Sequence, residues 1–372
     1  MVGDPKAFNY GILHDLFRQR HERPGDVLKL NFLKQGRIVA PGVHNAMGAK
    51  IAKDIWLERQ TQGQPCTFNA VYLGGWSVNA MLLGRPDMGF VPLSTMVMIG
   101  QYLIPHAHPL PVIMDAETGF APEPVVIAET VRAYHGIGVA LAHLEDQSTR
   151  RCGNLGGKWC ADIEEMKTKI RCWLVASEEI GTSMQLMVRT DALTAGNGGL
   201  ENAIERGKRY MDVEYGGRRP MILWADAMRD PVVIERWVTE MRKHDPSMIL
   251  GINYSPNKDW TSGYRAQFKR EPPTYADLYD NGNGFGAIWH TTLQARADME
   301  AGWNTFDDMA NNGAESLWKL HDRQRGHAVG NPQRMSGADL WQEFDRFIGG
   351  EAAAERYKQS AGYGSTTTEE KK

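Results

Sequence analysis

The sequence predicts a (β/α)8 barrel of the TIM type, an α/β fold, with additional helices at its N- and C-terminal ends. Short apolar runs recur along the chain, and amphipathic stretches with apolar residues near helical spacing lie between them. Strands that alternate with helices pair in parallel, and eight such units close a sheet into a barrel. The chain has 372 residues, 42% hydrophobic and 23% charged, which is enough for this barrel and several extra helices.

Eight apolar runs of four to six residues are the predicted strands, at 37–40, 70–73, 111–114, 139–144, 184–188, 221–224, 248–252 and 286–289. The stretches between them predict helices, because apolar residues recur there every three or four positions. These include 125–135, 162–179, 200–210 and 231–243.

The chain is predicted to contain four segments: an N-terminal helical segment at 1–35, the catalytic barrel at 36–300, C-terminal helices at 301–350 and a polar tail at 351–372. The extra helices are predicted around 8–20, 306–322 and 337–347. The residues from 361 onward are mostly small, polar or charged, so disorder is predicted there.

Composition excludes several classes of protein. The net charge of −3 and the lack of a dense basic run argue against a nucleic-acid partner. No stretch approaches the roughly 18 apolar residues of a membrane span, and the first residues contain no apolar signal core. The four cysteines form no CxxC pair, which leaves a zinc knuckle or a disulfide framework without support. A cytoplasmic protein with reduced thiols is therefore expected.

Polar residues follow most of the predicted strands. Asp115 and Glu117 come after the third strand, Glu145 after the fourth and Arg189 after the fifth. Active sites of such barrels are built at the C-terminal ends of the strands. The sequence therefore predicts one polar, catalytic face.

The segment 151–159, with the sequence RCGNLGGKW, lies just after the fourth strand. Cys152 stands there among glycines, and Arg150, Arg151 and Lys158 flank it. Positive charge nearby favours the ionised, reactive form of a thiol. Backbone N–H groups of glycine-rich turns can cradle a carboxylate. A cysteine acid or base beside an acidic cation site indicates an enzyme that acts on a small carboxylic acid.

In chain order these motifs resemble the isocitrate lyase and phosphoenolpyruvate mutase superfamily, in its isocitrate lyase branch, from about residue 36 to 318. YLGGW at 72–76 is similar to that family's YLSGW, and DAETGF at 115–120 to its DAEAGF metal loop. EDQ at 145–147, followed by the RCGNLGGK segment, is similar to its EDQ and KCGH signature. RTDA at 189–192 and NYSPN at 253–257 complete the series.

The resemblance implies a Mg2+-dependent lyase, with Mn2+ as a substitute, that cleaves a carbon–carbon bond of a 2-hydroxy di- or tricarboxylate by retro-aldol chemistry. The products would be a 2-oxo acid such as glyoxylate and a dicarboxylate such as succinate. Cys152 would donate a proton, Arg189 would hold the substrate carboxylate, and Tyr72 is the first candidate for the base. The predicted metal residues are Asp115 as the direct ligand, with Glu117, Glu145 and Asp87 holding metal-bound waters. The resemblance also implies a homotetramer that exchanges C-terminal helices.

The residues predicted to bind substrate come from several strand ends and from the cysteine segment. They are Gly74, Gly75, Trp76, Asp115, Gly153, Asn154, Arg189, Asn253, Ser255, Asn257 and Thr292. The chain departs from the family pattern at Gly74, Arg151, Asn154, Asp226, Tyr254 and Asn257. Asn154 replaces a histidine, which weakens binding of a distal carboxylate because a neutral amide is a weaker donor than a cation. The reaction type is therefore better defined than the substrate.

Three functions remain open. Isocitrate cleavage leads, and it competes with lyases of 2-methylisocitrate or 2,3-dimethylmalate type. A second is an oxaloacetate decarboxylase or a phosphonopyruvate-type enzyme, against which Cys152 counts. A third is a non-catalytic carboxylate-binding protein. For single residues, structural roles compete too: Arg189 as an ion-pair partner of barrel acids and Tyr72 as core packing. Packing roles are expected for Cys66, Cys160 and Cys172, and for His44, His106, His108, His143 and His290.

Overall fold

The structure is a computed structural model that describes residues 23–148, 150, 155–228, 230–253, 265, 269, 271 and 284–359. Eight parallel strands form a closed barrel in sequence order, and the last pairs with the first. The strands are β1 (Ile38–Val43), β2 (Val71–Leu73), β3 (Val112–Asp115), β4 (Leu141–Glu145), β5 (Gln185–Thr190), β6 (Ile222–Ala225), β7 (Ile249–Asn253) and β8 (Ala287–His290). The predicted (β/α)8 fold is confirmed.

Each observed strand begins one to two residues after the start of its predicted run, and every strand except β2 ends at least one residue beyond it. The extra residues are mostly polar, among them Asp115, Glu145 and Arg189. Hydrogen-bond pairing rather than hydrophobicity decides where a strand ends, and Glu145 lies directly opposite Arg189 in the register of β4 and β5. The polar strand ends are therefore part of the sheet, which holds their side chains on a rigid frame.

The helices around the barrel are α1 (Pro24–Gln35), α2 (Ala46–Thr61), α3 (Gly75–Leu83), α4 (Leu93–Ala107), α5 (Ile127–Ile137), α6 (Ile163–Ile180), α7 (Leu200–Met211) and α8 (Pro231–His244). Local sequence sets several of their ends. Asp162 caps α6 by accepting a hydrogen bond from the Glu164 N–H, and Gly181 ends that helix at a positive φ of 68°. The four helices predicted between strands overlap α5, α6, α7 and α8.

Side chains alternate between two hydrophobic clusters along each strand. Val112 and Met114 of β3 pack outward against the helices, whereas Ile113 belongs to the cluster inside the barrel. The inner cluster also contains three large aromatic residues, Tyr72, Trp224 and Trp289. The period of two then places Asp115, Glu145 and Arg189 on the inward face at the C-terminal ends of β3, β4 and β5.

The C-terminal helices are α9 (Leu293–Asn312), α10 (Glu315–Gln324), α11 (Pro332–Met335) and α12 (Ala338–Gln359). Contacts divide the described residues into two compact units, 23–297 and 298–359. The helix predicted around 306–322 is split between α9 and α10 at Gly313, where φ is +58°. The helix predicted at 337–347 lies in α12, which reaches Gln359 across a kink at Gly350, where φ is +57°, so residues 351–359 of the predicted polar tail are helical. The helix predicted at 8–20 and the tail from 361 lie outside the described residues. No helix in the described part of the chain is long and apolar enough to cross a membrane.

Candidate active site

A layer of aromatic and imidazole rings forms the floor of the candidate site inside the barrel. The Tyr72 hydroxyl lies 2.8 Å from Nε2 of His143, and the two rings stack with centroids 5.8 Å apart. Trp224 meets the His143 ring edge-on at 5.5 Å, and Trp289 packs against Trp224 at 4.9 Å. His143 is completely buried. The floor is therefore rigid and dry.

Asp115 stands directly on this floor. His143 Nε2 lies 3.0 Å from its Oδ1, and an ionised carboxylate can only accept, so Nε2 carries the shared proton. The backbone N–H of Glu117 donates to Oδ1 at 2.8 Å, and that of Gly75 donates to Oδ2 at 2.9 Å. Burial by itself raises the pKa of Asp115, but His143 and these two N–H donors lower it to about 2. Asp115 is therefore held ionised in one orientation.

Three further carboxylates lie near Asp115: Glu117 and Glu145 are buried, and Asp87 is partly exposed. Burial, followed by the charge of Asp115, raises the pKa of Asp87 to about 7 and the pKa of Glu117 well above its ordinary value. Burial also raises the pKa of Glu145 strongly, although Arg189 opposes this. Glu117 has a positive φ of 49°, which is uncommon for a residue with a side chain, and this conformation is part of the turn. The four acids share a buried region with more negative charge than the protein compensates.

This acidic cluster fits a divalent cation that keeps part of its water shell. Within the described ranges, no three acidic, histidine or cysteine side chains converge closely enough to hold an ion alone. Mg2+ commonly binds through one or two carboxylates and several waters, so that arrangement suits it. Asp115 as the direct ligand, with Glu117, Glu145 and Asp87 acting through water, is compatible with the geometry.

Arg189 is fixed beside the acids by ion pairs. Its Nη1 lies 3.2 Å from Glu145 Oε2, and its Nη2 donates to Asp191 Oδ1 at 2.8 Å. The guanidinium also lies over the Trp224 ring, 4.6 Å from its centroid. Burial lowers the pKa of Arg189, but Asp191 and other acids more than reverse this. Nη2 also lies 3.5 Å from Asp226 Oδ2. Each Nη group carries two hydrogens, so Nη1 keeps one N–H beyond its contact with Glu145 for a substrate carboxylate.

Lys158 completes this ion network. Its Nζ lies 2.7 Å from Asp191 Oδ1 and 3.3 Å from Asp226 Oδ2, and the residue is only 3% exposed. Arg150 donates to the carbonyl oxygens of Gly89 and Val91. Arg150 and Lys158 are thus engaged with other groups of the protein on either side of residues 151–154, whereas Arg151 lies outside the described residues.

Cys152, Gly153, Asn154, Ser255 and Asn257 lie outside the described residues, so their predicted roles stay predictions. The base of the cysteine segment is described on both sides. Gln147 pairs with Cys160 in an antiparallel bridge, and the Ser148 N–H donates to the Trp159 carbonyl at 2.8 Å.

Two residues predicted to bind substrate have close neighbours in the protein, and their substrate contacts stay predictions. The N–H of Gly75 was expected to bind the substrate, but it donates to Asp115 and is therefore committed to the metal residue. A Cβ at Gly75 would lie 2.5 Å from Glu117 Oε1, so the glycine lets the acids approach the helix. At Gly74 a Cβ would lie 2.7 Å from the Tyr72 ring, so a side chain there would displace Tyr72.

The remaining predicted residues lie at the same end of the barrel. Trp76 is in the first turn of α3, Asn253 ends β7 and Thr292 follows β8. All three are partly exposed. The structure gives no contact between them and the acidic cluster.

Sequence reasoning missed the role of His143, which was expected to be a packing histidine. The signal was present, because His143 lies two residues before Glu145 and so shares its face of the strand. It also missed Asp191, whose carboxylate meets both Arg189 and Lys158.

Comparisons with known proteins agree with this geometry. The family model of phosphoenolpyruvate phosphomutase matches residues 29–216. The isocitrate lyase of Haloferax volcanii is 27% identical over 333 residues, 88% of this chain and 88% of that protein. The probable 2-methylisocitrate lyase 2 of Corynebacterium glutamicum is 35% identical over 265 residues, 70% of this chain and 77% of that protein. A crystal structure of 2,3-dimethylmalate lyase has a TM-score of 0.71 at 22% identity, covers 89% of this chain and 97% of its own, and shares the fold.

Proposed function

The chain belongs to the phosphoenolpyruvate phosphomutase family, in the superfamily that includes isocitrate lyase, and we propose that it is a Mg2+-dependent carbon–carbon lyase of 2-hydroxy di- or tricarboxylates. One observation supports this above all: four carboxylates, three of them buried, lie beside one oriented arginine at the C-terminal end of the barrel, and burial and mutual repulsion raise the pKa of three of them. That combination suits a divalent cation and an anionic substrate at adjacent positions.

In the proposed reaction the substrate loses its hydroxyl proton, its C–O bond becomes a carbonyl, and the neighbouring carbon–carbon bond breaks. The electron pair passes to the departing carbon, which its carboxylate stabilises as an enediolate, and that carbon then takes a proton. A bound Mg2+ would supply Lewis-acid stabilisation of the negative oxygen. The second N–H of Arg189 Nη1 would orient the carboxylate next to the breaking bond. Cys152, by its place in the sequence, is proposed as the proton donor.

Tyr72 is better suited to donate a hydrogen bond than to act as the base. Burial, followed by the charge of Asp115, raises its pKa well above the ordinary value, so the phenolate is disfavoured. Because the His143 N–H points at Asp115 and the Tyr72 oxygen, the hydroxyl proton of Tyr72 is left to face the site. We therefore assign Tyr72 to substrate positioning.

For the substrate we propose isocitrate first, which yields glyoxylate and succinate. The alignment with an isocitrate lyase over 88% of the chain supports this. The test is a panel of isocitrate, 2-methylisocitrate and 2,3-dimethylmalate, with the 2-oxo acid product trapped and identified. Glyoxylate from isocitrate supports the proposal, pyruvate from 2-methylisocitrate would move the chain to that branch, and no 2-oxo acid from any of them would refute lyase function.

Two controls test the roles of the metal and of Cys152 separately. EDTA should stop turnover and Mg2+ should restore it. Cys152→Ser should abolish turnover and leave substrate binding largely intact, measured by calorimetry, whereas normal rates in this variant would exclude Cys152 as the donor.

We also propose the homotetramer that the resemblance implies. Large apolar side chains lie exposed on the C-terminal helices of a single chain, including Trp303 at 77% and Trp318 at 66%. Exposed apolar surface of this kind is typical of protein interfaces. Light scattering of the purified chain tests this, and a monomeric mass would refute it.

A further inference from the structure

A cavity of about 450 Å3 lies at the opposite end of the barrel from the candidate active site. Its walls include the first residues of β5 and β7, Gln185 and Ile249, together with Met221, which precedes β6. Small-molecule pockets typically have about 300–1,000 Å3, so this one has the size of a ligand site.

The floor of the cavity contains a buried hydroxyl without a partner. Ser177 of α6 is 2% exposed and lines the cavity, and its Oγ makes no hydrogen bond within the described part of the chain. Among the described residues it is the only buried side-chain hydroxyl without a hydrogen-bond partner. One turn earlier on the same helix, the buried Trp173 indole N–H lines the cavity and is also unpartnered among these residues. A buried polar group without a partner is costly, so a ligand in the cavity would satisfy what the protein does not.

The rim of the cavity contains more basic than acidic side chains. Four cations line it, Arg23, Lys29, Arg218 and Arg219, against two acids, Asp26 and Glu178. Arg23, Arg218 and Arg219 form ion pairs with Asp26, Glu178 and Asp245, which leaves Lys29 as the cation without an ion pair among the described residues. A two-residue hairpin turn presents Arg218: Tyr215 and Arg218 exchange both backbone hydrogen bonds at 2.9 Å, and the glycines between them have positive φ.

Part of this positive charge is free to meet a ligand. Arg218 uses Nε for Glu178 and Nη2 for the Thr182 carbonyl, and its Nη1 has no partner in the described chain. Within the same residues, no hydrogen bond or ion pair involves Lys29, which is exposed.

We propose that this cavity binds a small organic oxyanion, whose charged group meets Arg218 and Lys29 and whose body lies on the floor at Ser177. It is distinct from the substrate site, because the barrel strands run from one to the other.

The test is calorimetric titration of the full chain with glycerol 2-phosphate and with inorganic phosphate. We expect saturable binding of the ester that weakens with added salt and does not compete with the lyase substrate. Tighter binding of the ester than of phosphate is expected, because its body reaches the floor. Equal affinities would refute the role of the floor, and no saturable binding would overturn the proposal.

Lys29→Ala and Lys34→Ala form a matched pair, since both lysines are exposed on α1 but only Lys29 lines the cavity. Lys29→Ala should weaken binding of glycerol 2-phosphate about threefold, as expected for the loss of one exposed charge, and should leave lyase activity unchanged. Lys34→Ala should bind normally, and an equal loss in both variants would mean unspecific attraction.

Ser177→Ala tests the floor and has a readout of its own. Removing an unpartnered buried hydroxyl should raise the thermal midpoint of the ligand-free protein and weaken the ester about two- to tenfold. A raised midpoint with unchanged affinity would refute the contact with Ser177.

Discussion

The contact between Tyr72 and His143 can be measured with a double-mutant cycle. Tyr72→Phe removes one hydroxyl from the 2.8 Å contact and should lower the free energy of unfolding by about 1 kcal/mol. His143→Leu removes the donor to Asp115 and leaves the Tyr72 oxygen buried without that partner. The lost charge-assisted bond to Asp115 costs about 2 kcal/mol, and the unpartnered Tyr72 oxygen costs a similar amount. His143→Leu should therefore lower the free energy of unfolding by about 4 kcal/mol.

In the double variant no hydroxyl is left to be orphaned, so the two losses should not add. We expect a loss of about 3 kcal/mol instead of the sum of about 5, a coupling near 2 kcal/mol. The assay is urea unfolding followed by tryptophan fluorescence at one fixed protein concentration, with linear extrapolation. Additivity within about 0.3 kcal/mol would refute the interaction and the floor described for the site.

Three further outcomes follow from the acidic cluster and the ion network. Mg2+ at a hundredfold excess over its Kd should stabilise the protein by about 2.7 kcal/mol, and Asp115→Asn should lose this in a thermal shift assay; an undiminished shift would place the ion elsewhere. Gly75→Ala should weaken Mg2+ binding about tenfold or more, because the new Cβ displaces the acids. The control is Gly302→Ala on α9, which has open space around it and should leave the Mg2+ affinity unchanged in calorimetry. Lys158→Met should lower the unfolding free energy by about 3–5 kcal/mol, because Asp191 loses a buried partner; a loss under about 1 kcal/mol in urea would contradict the network.

The sequence was sufficient for the strands because their signal is local. Most positions of the strands carry apolar residues on both faces, so short runs such as Val112–Met114 of β3 stand out along the sequence. The end of the barrel that carries the acids was also predictable, since parallel strands bring all their C-terminal ends together.

Pairings across the barrel were not predictable in the same way. The Gly75 N–H donates to Asp115, 40 residues away, and nothing in either motif shows that bond. Lys158 meets Asp191 across 33 residues, and from the sequence alone its charge was assigned to Cys152 instead. Motifs predict which residues lie at one face of the barrel. The register of the sheet and the turns that follow the strands decide which of these residues form hydrogen bonds and ion pairs with each other.

Trp224 shows how the barrel core and the site depend on each other. It belongs to the inner hydrophobic cluster, yet its ring touches His143 on one side and the Arg189 guanidinium on another. His143 orients Asp115, the predicted metal ligand, and Arg189 is the proposed binding group for the substrate carboxylate. The buried ring of Trp224 contacts both and so helps to set the distance between them. Indole is large and rigid and has an electron-rich face, which suits both contacts at once. The side chains that fill the interior of the barrel therefore also hold Asp115 and Arg189 in place in the site.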